Sequence, residues 1–206
     1  EPYPIALRGI NWIKFISLNY SNISLEEKKI WDASLYAQYK ILQDNLEYHL
    51  LGNHLLEDSF SLLWAALYFE DKLIYRQAEQ LLFKELEEQI LPDGAHYELS
   101  PMYHEILLDR LLDCINISKN NHRFDKQILL TNWLEEKAVL MLGWLESIIF
   151  RDGSIPLFND AANGIAPTSN EIFAYAQRLG LVWVKIPLKE SGYRKFSSSR
   201  IELTMD

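Results

Sequence analysis

The pattern that most constrains the fold is a predicted helix that is apolar on nearly every side. The sequence NHLLEDSFSLLWAALYF begins at Asn53, and apolar residues dominate from Leu55 onward. Such a helix must be buried all round. The helices predicted on either side, over 33–51 with Gly52 as its C-terminal cap and from Asp71 to about 91, are amphipathic. This alternation predicts an inner and an outer layer of helices.

The helical pattern extends to residue 180. Periodicity and capping signals predict further helices over 3–18, 101–118, 125–150 and 169–180. Ser24 is predicted to open a short helix, either separate from the helix over 33–51 or merged with it. A four-helix bundle fits this pattern less well, because every helix of a bundle keeps an exposed face. We therefore predict an all-α fold class, an incomplete α/α toroid of antiparallel helix hairpins. A right-handed α-superhelix would give a similar pattern.

The periodicity changes after residue 180. The segments LVWVKIPL at 181–188 and KFSSSRIELTM at 195–205 are β-branched or alternate with a period near two, which indicates strands. We predict a helical domain over 1–180, followed over 181–206 by a linker and the first strands of a β-domain. Because the strand pattern is still running at Asp206, the chain is expected to be a piece of a longer protein.

Composition narrows the class of partner. The formal net charge is −9, from 29 acidic and 20 basic residues among 206, which argues against nucleic acid and anionic membrane surfaces. Charged residues interrupt the apolar runs well before the roughly 20 residues that a membrane-spanning helix needs. No membrane insertion is therefore predicted. The single cysteine, Cys114, excludes an intrachain disulfide and is expected to be buried.

Several properties stay open or are predicted as absences. The sequence has no metal-binding spacing and no organic cofactor motif, so neither a metal nor a cofactor is predicted. No basic, apolar leader follows Glu1, and a periplasmic or a cytoplasmic location in a bacterium is compatible with this. The oligomeric state does not follow from the sequence.

Most of the chemically useful side chains lie in LPDGAHYELSPMYHEILL, at 91–108. Residues 92–94 form a turn signal, and Ser100 followed by Pro101 marks a helix start with a hydroxyl suited to the N-cap. Tyr103 then falls in the first helical turn. The positive end of the helix dipole slightly favours the anionic form of a phenol there, so Tyr103 is a candidate proton-transfer group.

A second motif, GNHLLEDSF at 52–60, also begins a helix. Helix starts that are two apart lie at the same end of a stack of hairpins, so this motif is expected to face the later one, DGAHYELSPMYHEILLDRLLD at 93–113. The predicted cleft has polar side chains from both helices: Asn53, His54 and Glu57 on one side, Tyr103 and His104 on the other.

The two motifs resemble those of the heparinase II/III-like polysaccharide lyases and their alginate lyase relatives. In that family an NH pair followed by LLE, and later a DGxHxExSPxYH segment, form part of the active site. The NWIKF stretch and the DGSIPLFND loop extend the likeness. The resemblance implies a toroid followed by an antiparallel β-sandwich, most of it missing here, and β-elimination on a uronate polymer. An acidic polysaccharide or oligosaccharide is the partner that it implies.

The resemblance also implies roles for single residues. Asn53 matches the asparagine that binds the substrate carboxylate, Tyr103 the tyrosine that acts as base, acid or both, and His54 a ring donor or neutraliser. Further residues are expected to bind substrate: Glu57, His96, Glu98, His104, Asn159 and Asp160. The family's second histidine comes from the β-domain and has no counterpart here. The isolated fragment is therefore expected to be weak or inactive.

Each candidate residue has a structural alternative. Asn53 could cap its helix, His54 could be a core histidine, and Tyr103 could pack with its hydroxyl bonded to backbone. Two other functions stay open as well. One is a non-catalytic protein that binds glycan or assembles a surface polysaccharide. The other is a glycoside hydrolase that takes two carboxylates from Glu57, Glu98 and Asp160.

Overall fold

The computed structural model describes residues 2–50 and 52–206, and most of these residues are helical. The elements within this part are α1 Pro2–Leu18, α2 Leu25–Asp44, α3 His54–Phe69, α4 Lys72–Gln89, α5 Pro101–Asn120, α6 Gln127–Ile148, α7 Ser169–Arg178, β1 Arg194–Ser197 and β2 Glu202–Met205. The all-α class is confirmed. Across the described ranges no helix is long and apolar enough to cross a membrane.

The chain divides into two compact units. Unit 1 consists of the residues up to Glu85 together with Asn120–Gln127, and unit 2 consists of Leu86–Lys119 and Ile128–Asp206. The boundary predicted at residue 180 is a different division of the chain, and it stays a prediction.

The core of unit 1 is built around α3. Helices α1 and α2 both pack against it, and every residue of α3 from Leu55 to Leu67 is buried. The prediction that this helix is buried all round is confirmed. One buried hydroxyl of the helix links it to both neighbours: the Ser61 hydroxyl donates to the Ala6 carbonyl at 2.7 Å and lies 3.1 Å from the Tyr39 hydroxyl.

Helix α2 differs from its prediction. It is one continuous helix that starts with a capping box between Ser24 and Glu27, so the two predicted segments merge. The helix ends at Asp44, and the prediction that it continues to a cap at Gly52 is wrong. The cause is local. The Asn45 side chain donates to the Ile41 carbonyl at 2.8 Å and satisfies the last turn of the helix early. The residues that follow form turns instead of helix.

The buried carboxylate of Asp93 links distant segments of unit 2 by hydrogen bonds. One of its oxygens accepts the Lys189 amide at 2.9 Å, the Ser191 amide at 3.0 Å and the Ser191 hydroxyl at 2.7 Å, and the other accepts the Ala95 amide at 3.3 Å. Burial by itself would raise the pKa of Asp93, but these hydrogen bonds outweigh it and hold the pKa below its usual value. One side chain therefore joins the 91–96 turn to a segment almost a hundred residues later.

Two glycines set how closely backbone segments of unit 2 approach α6. Gly94 has a φ of +89°, and a Cβ there would lie 2.3 Å from the Leu140 carbonyl oxygen. A Cβ on Gly143 would lie 2.5 Å from the Val184 carbonyl oxygen. Any larger residue at either position would push two segments of unit 2 apart.

The C-terminal region confirms one strand prediction and overturns another. The 195–205 pattern forms an antiparallel hairpin in which Arg194 pairs with Met205 and Ser197 with Glu202. The 181–188 segment forms no strand in the described chain. Its Ile186 amide instead lies 3.3 Å from the Gly143 carbonyl and 3.1 Å from the Ser147 hydroxyl. The segment satisfies its backbone against α6, so its β-branched pattern does not make a sheet.

A second tie in unit 2 joins α5 to α7. Glu105 is buried on α5, and the hydroxyl of Ser169, the first residue of α7, donates to its carboxylate at 2.6 Å. Burial raises the pKa of Glu105 to about 7, and the hydrogen bond from Ser169 only partly opposes this. The fold therefore favours the protonated form of this carboxyl.

Gly94→Ala tests the close approach to α6. We expect it to lower the free energy of unfolding by about 3 kcal/mol or more, because the methyl group adds a clash to the strain of a positive φ. Gly164 is the matched control: it has a φ of +78° with no atom within 4 Å of a Cβ, so Gly164→Ala should cost only about 1 kcal/mol of strain. Equal costs in urea unfolding followed by circular dichroism would contradict the account.

Glu105→Gln tests the carboxyl on α5. The folded state holds its proton up to about pH 7, whereas an unfolded glutamate releases it near pH 4.3. Wild-type stability should therefore fall as the pH rises between these values, and the glutamine variant should lack this loss. We expect the variant to gain on the order of 1 kcal/mol relative to wild type between pH 5 and pH 8. Parallel pH profiles, like those expected for the exposed Glu136→Gln control, would be the opposite result.

Candidate active site

Asn53 occupies the position before α3 in unit 1. Its backbone carbonyl accepts the Glu57 amide at 2.9 Å, which starts the helix. Its side chain makes no capping hydrogen bond, although the residue is only 8% exposed. The N-cap alternative is therefore not observed. The helix leaves the amide group of Asn53 uncommitted, with one donor nitrogen and one acceptor oxygen.

His54, the first residue of α3, is held by two contacts. Its ring stacks on Tyr3 with a centroid distance of 4.5 Å, and its Nδ1 lies 3.1 Å from Glu47 Oε2. The His54 side chain is 39% exposed, and its Nε2 makes no hydrogen bond to any residue in the described ranges. The core-histidine alternative does not fit this exposure. A ring oriented at one nitrogen and open at the other is suited to donating or accepting a proton.

Two buried carboxyl groups follow His54 on the same helix. Glu57 and Asp58 are both fully buried. Burial is the main cause that raises the pKa of Asp58 to about 7; repulsion from the Glu47 carboxylate acts in the same direction, and the attraction of His54 opposes it. This environment therefore favours the protonated form of Asp58. Within residues 2–50 and 52–206, no group of three or more His, Cys, Asp or Glu is placed to hold a metal ion.

Tyr103 lies in the first turn of α5 in unit 2. Its side chain is half-buried, and its hydroxyl makes no hydrogen bond to any part of the chain that the structure describes. The alternative in which the hydroxyl bonds to backbone is therefore not observed. Helix α5 begins at Pro101 as predicted, but the buried Ser100 hydroxyl has no hydrogen-bond partner among the described residues. The prediction of a hydroxyl cap at Ser100 is wrong, because only its carbonyl accepts from the helix.

His104 is fully buried behind Tyr103. Its Nδ1 accepts the His96 amide at 3.3 Å, and its Nε2 lies 3.1 Å from the Met141 carbonyl, to which it donates. The ring packs on Trp144 at 4.5 Å. Burial lowers the pKa of His104 to about 4, so the ring is neutral. Both ring nitrogens are committed inside unit 2, and this geometry does not support the predicted contact with substrate.

His96 is buried in the same way. Its Nε2 lies 3.0 Å from Gln89 Oε1, and its ring meets Tyr97 edge to face. Burial lowers the pKa of His96 to about 3. A substrate contact was predicted for His96 too, and its position does not support one. Together with Asp93 and Gly94, the two histidines fix the turn that precedes the helix of Tyr103.

The loop over 151–167 meets this segment through Asn159. The Asn159 side-chain amide donates to the Leu99 carbonyl at 3.0 Å, and the Tyr193 hydroxyl donates to the same oxygen. Leu99 and Asn159 both have a positive φ, of 55° and 46°. The predicted substrate-binding amide of Asn159 is thus committed to ordering the residue two before Pro101. Asp160 is exposed, and Glu98 is half-exposed.

The predicted site residues fall into two groups. Asn53, His54 and Glu57 belong to unit 1, whereas the later motif and the 151–167 loop belong to unit 2. The cleft predicted between them stays a prediction. Sequence reasoning missed three contributors: Glu47, Asp58 and Tyr193. The sequence contains a signal for Asp58, because it is a second acidic residue on a helix that must be buried all round.

Comparison with known proteins identifies the family that most of the chain matches. The family model for the heparinase II/III N-terminus matches residues 16–178. The crystal structure of heparan sulfate lyase HepC from Pedobacter heparinus superposes with a TM-score of 0.63 at 22% identity, over 87% of this chain and 29% of that one. A crystal structure of heparinase III does so with a TM-score of 0.63 at 19% identity, over 86% and 29%. No curated protein matches the chain.

The two likenesses show the fold, and they confirm the predicted class of incomplete α/α toroid. The chain spans less than a third of the length of either solved structure. The family match covers most of this chain and both of its motifs. The chain therefore belongs to the heparinase II/III family and corresponds to the N-terminal region of that family.

Proposed function

We propose that this chain is the helical part of a polysaccharide lyase that cleaves a uronate-containing acidic glycan by β-elimination. Family membership supports the class of reaction. The observation that carries the proposal is the Tyr103 phenol. It is accessible and makes no hydrogen bond within the described chain, whereas the neighbouring ring of His104 is buried and hydrogen-bonded inside unit 2. Because the chain spans only 29% of the matched structures, the activity is proposed for the full-length protein.

The reaction explains why these residue types are needed. Removing the proton at C5 of a uronate places negative charge on the adjacent carboxylate. The Asn53 amide is proposed to donate to that carboxylate, because a neutral donor stabilises the developing charge without opposing substrate binding by a charge of its own. The electrons of the C5–H bond then form the C4–C5 double bond, and the bond from C4 to the glycosidic oxygen breaks.

Tyr103 is proposed to carry the proton in this sequence. Its phenolate accepts the C5 proton, and the resulting phenol protonates the leaving oxygen. His54 is proposed to assist, since Glu47 holds its Nδ1 while its Nε2 makes no hydrogen bond to the residues that the structure describes. The raised pKa of Asp58 helps an anionic substrate, because a protonated carboxyl adds no repulsion.

Tyr103→Phe in the full-length protein tests the proton carrier. We expect it to lower kcat on a uronate polymer by about 10²- to 10⁴-fold, the usual contribution of a positioned acid–base group. The ultraviolet absorbance of the unsaturated product measures the rate. The control is Tyr20→Phe, which removes the hydroxyl of an exposed tyrosine outside both motifs and should leave the rate unchanged.

Three results would contradict this part of the proposal. Full activity of the Tyr103→Phe variant would remove Tyr103 from the chemistry. New reducing ends without unsaturation would identify a hydrolase. Tight glycan binding by the wild-type protein, with no product from any uronate polymer, would identify a binding or assembly protein.

Asn53→Ala tests the carboxylate donor against the cap alternative. We expect kcat to fall by about 10²-fold, as for the loss of one oxyanion donor, with little change in stability because the side chain does not cap α3. Ser24→Ala is the contrasting control: it removes an acceptor of the Glu27 amide and should cost about 1 kcal/mol of stability without lowering kcat. An Asn53→Ala variant that loses stability and keeps its rate would restore the cap interpretation.

A further inference from the structure

A cavity of about 680 Å³ in unit 2 has four basic side chains and one carboxylate in its lining. It lies between the end of α6, the 185–188 segment and the β1–β2 hairpin. Its cations are Arg151, Lys185, Arg194 and Lys195, and its one carboxylate is Glu202. A concentration of positive charge is unexpected in a chain whose net charge is −9. The cavity therefore differs in sign from the protein as a whole.

Two of the cations are fixed in the wall. The Arg151 guanidinium donates to Ser197 Oγ at 2.8 Å and to the Ser198 carbonyl, and Lys195 donates to the Ile149 carbonyl. Glu202 lies between them, 3.7 Å from Arg151 Nε and 3.6 Å from Lys195 Nζ. One carboxylate is thus shared by two cations. The hydrogen bond from the Arg151 amide is the main cause that lowers the pKa of Glu202, so the carboxylate stays ionised in this frame.

The other two cations are not part of this ion-paired frame. Lys185 and Arg194 are exposed, and neither forms an ion pair or a side-chain hydrogen bond with the residues that the structure covers. The Ser147 and Ser197 hydroxyls add neutral polar groups to the lining. Guanidinium and ammonium groups of this kind bind oxyanions such as carboxylate and sulfate by charge-assisted hydrogen bonds.

Tyr193 connects this cavity to the segment before Tyr103. Its side chain lines the cavity, and its hydroxyl donates to the carbonyl of Leu99, two residues before α5 begins. A ligand in the cavity would therefore lie against a side chain that also supports the start of the Tyr103 helix.

We propose that this cavity is a subsite for an anionic group, a sulfate or a uronate carboxylate, of the glycan bound by the full-length protein. The inference rests on the proposed function for the identity of the glycan. The volume of the cavity lies in the range of pockets that hold a small molecule, which suits one sugar unit of a glycan. Lys185 and Arg194 supply the attraction, and the frame of Arg151, Lys195 and Glu202 holds the wall in place.

The test is binding by the full-length protein in a Tyr103→Phe background, where turnover does not consume the ligand. Calorimetry gives Kd for a sulfated uronate oligosaccharide and for its unsulfated counterpart. The charge-removing variant is Lys185→Gln with Arg194→Gln. Lys189→Gln with Arg200→Gln is the matched control, because it removes the same charge from exposed residues of the same region that do not line the cavity.

We expect the Lys185/Arg194 double variant to raise Kd about tenfold and the control to change it less than about twofold. A loss confined to the sulfated ligand identifies sulfate, and an equal loss for both ligands identifies the carboxylate. The charge-conserving pair Lys185→Arg with Arg194→Lys should keep most of the affinity. This variant separates lost charge from damaged folding.

Equal Kd values for the two double variants, or no binding of either oligosaccharide to the parent protein, would overturn the inference. Failure of the subsite can be distinguished from failure of the proposed lyase activity. Unsaturated product from wild type combined with equal Kd values removes only the subsite. A selective tenfold loss of binding in a protein that never forms product removes only the lyase activity.

Discussion

Unit 2 depends on the hydrogen bonds that the buried Asp93 carboxylate accepts. Asp93 holds the amides of Lys189 and Ser191 at about 3 Å and the amide of Ala95 at 3.3 Å, and so joins the 91–96 turn to the C-terminal segment. A buried charge is tolerated only when it is hydrogen-bonded in this way. The 91–96 turn also positions His96, whose backbone amide donates to the His104 ring. The other side chains of the motif around Tyr103 thus mainly hold the backbone in place, and the Tyr103 phenol stays accessible.

Local signals predicted most of the helices correctly. The uniform apolar character of α3 predicted burial all round, and Ser24 predicted the start of α2, because these features depend on neighbours within one or two turns. The strand predicted over 181–188 was wrong because distant contacts decide its structure. The 181–188 segment has a strand-like pattern, but α6 satisfies its backbone at Gly143 and Ser147, and no local signal reveals such a partner.

The candidate site was predictable in part for the same reason. The motifs indicated Asn53, His54 and Tyr103, and each of these side chains has a polar group that makes no hydrogen bond within residues 2–50 and 52–206. His96 and His104 belong to the same motif, but their burial depends on packing against Gln89, Met141 and Trp144, which residue type does not reveal. Glu47 escaped notice because it contacts His54 only through the early end of α2.

The central proposal is that Asn53 and Tyr103 act on the same uronate. A crystal structure of the full-length Tyr103→Phe variant with a bound uronate oligosaccharide tests it most directly. The account predicts the Asn53 amide nitrogen at about 3 Å from an oxygen of the uronate carboxylate, with the ring at position 103 beside C5 of the same sugar. A bound oligosaccharide whose uronate lies out of contact with either side chain would contradict it.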